Sequence, residues 1–259
     1  MPGSAVADRL AEIVAAAPGR ACVAVRSSRG FAWDHDSDRV VPAASTAKVP
    51  ILLAVLASGV PLDRALPLTE DRVGGCGPLH LLPSVRSLTV LELARLMIAL
   101  SDNDAANALL DAVGFEAVAT VLAAAGAGQT MVRRRFMDLA AARADRDNLT
   151  TAADMTRVLV ALRGGRLLDA AMTQLAVDIL QEQQSVDGLP AYLPSRVRVG
   201  SKVGVRPGLR HDMALVQGGR QWVAVAVLVT DLVDTSGVDR GTIALATQAE
   251  IGRCLVGLL

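Results

Sequence analysis

Strand-like segments occur only near the two ends of this chain, and everything between them is helical in pattern. That order constrains the fold more than any other feature. Near the start, residues 21–26 and 31–34 read as strands around the turn Ser27-Ser28-Arg29-Gly30. Near the end, residues 196–203, 213–217 and 221–230 do the same, the last two joined through Gly218-Gly219-Arg220, a hairpin signal. The simplest assembly joins early and late strands into one antiparallel sheet, flanked by the helical segments 4–17 and 239–259. The expected class is α+β. Residues 1–60 and 190–259 form the sheet part, residues 61–189 an all-helical part packed beside it, and the two make one continuous domain.

The helices declare themselves by period and caps. Residues 46–58 are apolar nearly all round and stop at Gly59, which predicts a helix running through the core. Thr89 with Glu92 forms a capping box for a helix reaching about residue 100, and Thr151 with Asp154 repeats the arrangement for 151–162. Residues 104–113, 115–125 and 169–183 are further helices, Asp169 suiting an N-cap. Residues 126–149 are arginine-rich and carry no clear period.

Composition matters at one point above all. Of 26 basic residues only Lys48 and Lys202 are lysine. Arginine stays charged in almost any site, whereas a lysine can lose its proton when its surroundings depress its pKa. Both lysines are therefore candidates for chemistry. Lys48 closes Ser45-Thr46-Ala47-Lys48 at the start of the apolar helix, where a spacing of three puts amine and hydroxyl on one face. A desolvated lysine there can take the serine's proton, and the N–H groups of a helix start suit a developing oxyanion. Ser101-Asp102-Asn103 lies in a helix break. Ser101 can relay protons, Asn103 can orient the substrate amide and Lys48, and Asp102 braces the turn. Ser201-Lys202-Val203-Gly204 ends a strand whose edge can bind an extended acyl substrate, with Lys202 supplying positive charge and Gly204 allowing close approach.

In this order the three segments resemble the S-x-x-K, S-D-N and K-T-G set of class A β-lactamases and penicillin-binding proteins. Residues 101–110 and 148–155 are similar to that family's long helix opening and to the segment after its omega loop, so the likeness covers roughly residues 20–258. The resemblance implies a β-lactamase/DD-peptidase-like fold and a serine hydrolase working through a Ser45 acyl-enzyme. The expected substrate is a β-lactam or a small acyl ester or amide, handled without metal or organic cofactor.

Two departures bear on activity. No glutamate occurs from Phe136 to Asp147, where class A enzymes resemble one another in carrying a deacylating one. Either Asp138 substitutes, or Lys48 serves both steps, or deacylation is slow. Val203 stands where the family has threonine, and losing that hydrogen bond to a substrate carboxylate costs about 1.5–3 kcal/mol. Arg206 or Arg210 can compensate. The expected activity on β-lactams is therefore weak or narrow. The alternatives are a small-acyl esterase or amidase, and a penicillin-binding module that acylates and deacylates slowly. The adjacent His211-Asp212 faces opposite ways on a strand and reads as structural.

Balanced charge and 2% aromatics argue against a nucleic-acid partner, and the three scattered cysteines argue against a disulfide framework or zinc site. Residues 1–20 lack the marks of a secretory leader, and no run of about 18 apolar residues suggests a membrane span. As written the chain reads as cytoplasmic. A chain whose leader had been trimmed would read alike and be secreted or periplasmic.

Overall fold

The strand Gln221–Thr230 is apolar along almost its whole length, and a strand of that kind needs cover on both faces. The computed structural model, which describes residues 2–233, 237 and 240–259, gives it that cover. Helix α1 (Pro2–Ala15) leads into strands β1 (Arg20–Ser27) and β2 (Ala32–His35). A short strand β3 (Val41–Pro42) and a 3-10 turn over Ala44–Ala47 precede helix α2 (Lys48–Ala57). The helical part then comprises α3 (Val90–Ala99), α4 (Asn103–Ala125), α5 (Leu139–Arg143), α6 (Ala152–Arg163) and α7 (Ala170–Gln181), with small strands β4 (Ala65–Pro67), β5 (Ser87–Thr89) and β6 (Leu149–Thr150) between them. Strands β7 (Arg198–Arg206), β8 (Leu209–Gly218) and β9 (Gln221–Thr230) follow, and α8 (Gly241–Leu255) closes the chain. The expected start of that last helix, Asp239, lies outside the described residues.

The main sheet has the order β2-β1-β9-β8-β7, antiparallel throughout, so β1 from the start of the chain pairs with β9 from its end. Alternation along each strand feeds two cores. Val225, Val227 and Val229 of β9 pack with Leu10 of α1 and Ile251 of α8, while Ala224, Ala226 and Leu228 join the larger core built on α2, α4 and α6. The strand β7 is left at an edge, and that edge faces the start of α2.

Local chemistry accounts for the differences from expectation. The capping box at α3 is complete, with Thr89 and Glu92 each bonding the other's backbone N–H. At α6 only half forms. Thr151 accepts from Asp154 N, but the Asp154 carboxylate instead accepts from Gln129 N, the Thr130 hydroxyl and Arg157. The helices expected at 104–113 and 115–125 run on as α4, broken at Gly114 by a left-handed φ of 79°. By length and mean hydropathy alone α4 is long and apolar enough to cross a bilayer, although Asp104, Asp111 and Glu116 interrupt it, and it packs against α2 and α3.

Candidate active site

Serine and lysine three residues apart meet only if the chain turns tightly between them. Ser45 sits in the 3-10 turn just ahead of α2, and Lys48 is the helix's first residue. Ala44, directly before the serine, holds a left-handed φ of 47°, an uncommon conformation for a residue with a Cβ. The turn is pressed against β7. A Cβ added at Gly204 would lie 3.2 Å from Ser45 N and 3.3 Å from Ala43 O, so the glycine is what lets the strand edge run beside the serine.

Lys48 is wholly buried and its Nζ has four oxygen neighbours. It lies 2.6 Å from Ser101 O, 2.8 Å from Asn103 Oδ1, 3.1 Å from Ser101 Oγ and 3.2 Å from Ser45 Oγ. Burial first, and the charge of Lys202 second, hold its pKa well below the usual lysine range. A neutral amine has two N–H bonds and one lone pair. The carbonyl and amide oxygens can only accept, so they take the two N–H bonds. The lone pair is then left for a hydroxyl that donates to it, from Ser45 or Ser101. This is the protonation pattern a base for the serine requires.

The break between α3 and α4 supplies the other wall. Ser101 adopts a left-handed φ of 55°, and Asp102 fixes the turn by accepting from Ala105 N at 2.8 Å and Leu79 N at 2.9 Å. Asn103 anchors itself through Nδ2 to Gly74 O at 2.7 Å, which aims its oxygen at Lys48. Ser45, Lys48, Ser101 and Asn103 thus converge in one hydrogen-bonded group.

The remaining sequence candidates divide. Lys202 is fully buried on the helical side of β7, and its Nζ donates to Val203 O at 3.0 Å. Burial pulls its pKa down to about 8 against the upward pull of Asp212. Val203 faces the opposite way and is itself buried. Arg206 reaches the wall of a cleft of about 440 Å³ that opens onto Ser45. Arg210 does not line it; its side chain lies 3.5 Å from Asp187, so of the two arginines expected there only Arg206 is at the cleft.

Asp138 is not brought to the group either. Its carboxylate accepts from Ala141 N at 2.9 Å as the N-cap of α5, and the residue is exposed. A short helix starting at 139 needs a cap, and the aspartate satisfies that local demand. The residue of this loop that does face Lys48 is Phe136, whose ring centroid is 4.5 Å from Nζ. Asn107 of α4 clamps it, donating to Phe136 O at 3.1 Å and accepting from Phe136 N at 2.8 Å. The loop's neck is tied by Asp147, which pairs with Arg134 and Arg206, both at 2.7 Å. Burial pushes the Asp147 carboxyl up, but the two guanidiniums outweigh it and hold the pKa below the usual range. A carboxylate criterion passes over Phe136; the available signal was that it is the one aromatic residue of the arginine-rich stretch 126–149.

His211 and Asp212 point to opposite faces. His211 Nε2 lies 2.9 Å from Pro42 O, and Asp212 accepts from Leu189 N at 2.8 Å. Both are structural, and Asp212 carries a consequence for stability. Burial lifts its pKa to about 7, so the native state holds a proton that the unfolded chain releases near pH 4. Stability from this residue is greatest below pH 4 and declines as pH rises towards 7. Asp212→Asn therefore raises the melting temperature at pH 8 and leaves it nearly unchanged at pH 4, as differential scanning fluorimetry at the two pH values will read.

The family model for the beta-lactamase enzyme family matches residues 5–257. Beta-lactamase L2 of Stenotrophomonas maltophilia is 30% identical over 234 residues, which cover 86% of this chain and 76% of that protein. Among solved structures, a beta-lactamase from Sphaerobacter thermophilus superposes with a TM-score of 0.84 at 28% identity, covering 98% of this chain and 96% of the other. PBP-A superposes equally well, with a TM-score of 0.84 over 97% and 94% of the two chains; at 21% identity it speaks to the fold alone. With the fold, the convergent serine–lysine group and these matches together, the chain belongs to the beta-lactamase enzyme family of serine hydrolases.

Proposed function

We propose that Ser45 takes an acyl group from a β-lactam, and that the resulting acyl-enzyme is hydrolysed slowly. In the first step Lys48 accepts the Ser45 proton while Oγ bonds to the carbonyl carbon. The carbon–nitrogen bond then breaks, and the leaving nitrogen takes a proton through Ser101. The observation that carries the slow second step is Phe136 over Lys48. Deacylation needs a base that can activate an incoming water, yet the loop side chain that faces Lys48 is an apolar ring and Asp138 is engaged at its cap. Among the described residues no carboxylate hydrogen-bonds Lys48. Hydrolysis then falls to Lys48 alone, which gives weak or narrow activity.

Intact-mass spectrometry after a pulse of benzylpenicillin tests this. An adduct that maps to Ser45 and persists for hours is expected, and Ser45→Ala should carry none. Prompt return of the wild type to its unmodified mass overturns slow deacylation.

The second reading, a small-acyl esterase or amidase, is favoured by Val203, which offers no hydroxyl to a β-lactam carboxylate. A nitrophenyl ester turned over much faster than any penicillin or cephalosporin would select it.

A further inference from the structure

Of the two positive charges on β7 that flank Gly204, the one at Lys202 is withdrawn from the cleft. Lys202 has no exposed surface and donates to its own strand, and Val203 is buried with nothing to donate. Charge reappears two residues beyond Gly204, about 7 Å along an extended strand, at Arg206. There the cleft wall carries two guanidiniums, Arg134 and Arg206, and among the described residues no acidic side chain lines it. Both arginines share the single carboxylate of Asp147, which is 15% exposed against 39% for Arg206. Two positive groups on one negative group leave an excess charge at a partly open position. The same cleft is lined by apolar groups, among them Val205 from the strand and Met137 and Leu139 from the facing loop. A guanidinium presents donors on more than one edge, so Arg206 can keep Asp147 and hold a second carboxylate.

We propose that Arg206 selects acyl donors whose acyl group itself carries a carboxylate, separated from the reacting carbonyl by an apolar chain that lies against Val205 and Leu139. This deepens the acylation reading and rests on Ser45 being the acylated residue. The bond chemistry is the same: Ser45 Oγ bonds to the acyl carbon, the bond from that carbon to the leaving group breaks, and the proton Lys48 took from Ser45 passes to the leaving group or, where that group is a stable anion such as nitrophenolate, to solvent.

The probes are the mono-4-nitrophenyl ester of adipic acid and 4-nitrophenyl hexanoate, which share chain length and leaving group and differ in the terminal charge. Release of nitrophenolate gives the rate of acylation, and intact mass gives the site. In the wild type the anionic ester is expected to acylate Ser45 about 10–100-fold faster, the worth of a hydrogen bond to a charged group. In Arg206→Gln that ratio falls towards one, and Arg206→Lys recovers part of it. A purely structural role, through the tie to Asp147, would slow both esters alike and leave the ratio standing. A ratio that survives in Arg206→Gln, or a wild type indifferent to the charge, overturns the proposal. Acylation by both esters with no preference leaves the Ser45 reading intact, whereas failure of both to label Ser45 overturns that reading as well.

Discussion

Lys48→Arg lowers the rate at which benzylpenicillin acylates Ser45 by about 10²–10⁴-fold, the span that a positioned base contributes. The argument is one of proton count. Lys48 is buried among four oxygen neighbours, and burial together with Lys202 moves its pKa down far enough to expose a lone pair. An arginine there keeps its charge and its proton, so it can donate but not accept. Lys48→Ala should lose as much, by removing the base outright. Folding is checked separately by melting temperature, since alanine leaves Ser101 O and Asn103 Oδ1 without their donor. The pH profile gives a second readout. As pH falls through the depressed pKa of Lys48 the amine gains a proton and wild-type acylation slows, and that limb disappears in both variants. Acylation within twofold of wild type in either variant would remove Lys48 as the base.

The parts of this molecule that were legible in its sequence are those written in local chemistry. The sheet could be assembled because β9 is apolar throughout and β1 alternates with it across the register that pairs Ala21 with Val229 and Val25 with Val225. The serine–lysine pair was legible because one turn separates them whatever the rest of the chain does. The two lysines stood out because the chain uses arginine elsewhere, and both are fully buried. What could not be read depends on distant segments. Strands of two or three residues, such as β3 and β6, have no period to detect. Asp154 has the spacing of a capping partner, but Gln129 and Thr130, far away in sequence, claim its carboxylate. Arg206 and Arg210 were equivalent as sequence, and only the folded β7–β8 hairpin places one at the cleft and the other beside Asp187. Asp138 has the charge of a catalytic base, yet the nearest unmet need is the open N–H at the start of α5.

Phe136→Glu should shorten the life of the acyl-enzyme by about 10²–10⁴-fold, because it supplies a base at the face of Lys48 that the ring covers. The backbone is already held for it: Asn107 bonds both the N–H and the carbonyl of residue 136, and neither bond involves the side chain. Losing the buried ring costs about 3–5 kcal/mol, as is typical of truncating a core phenylalanine, and desolvating the new carboxylate adds to it. An ion pair with Lys48 offsets part of this, although desolvation limits how much. The same pairing makes a second, independent signature. A carboxylate beside Lys48 favours its charged form, so its pKa rises and the acidic limb of the acylation profile moves to higher pH. Faster deacylation together with slower acylation at neutral pH is therefore the expected pair of changes, read by intact-mass time courses of each step. A folded Phe136→Glu protein whose adduct lasts as long as that of the wild type would show that the ring is not what prevents water from reaching the ester.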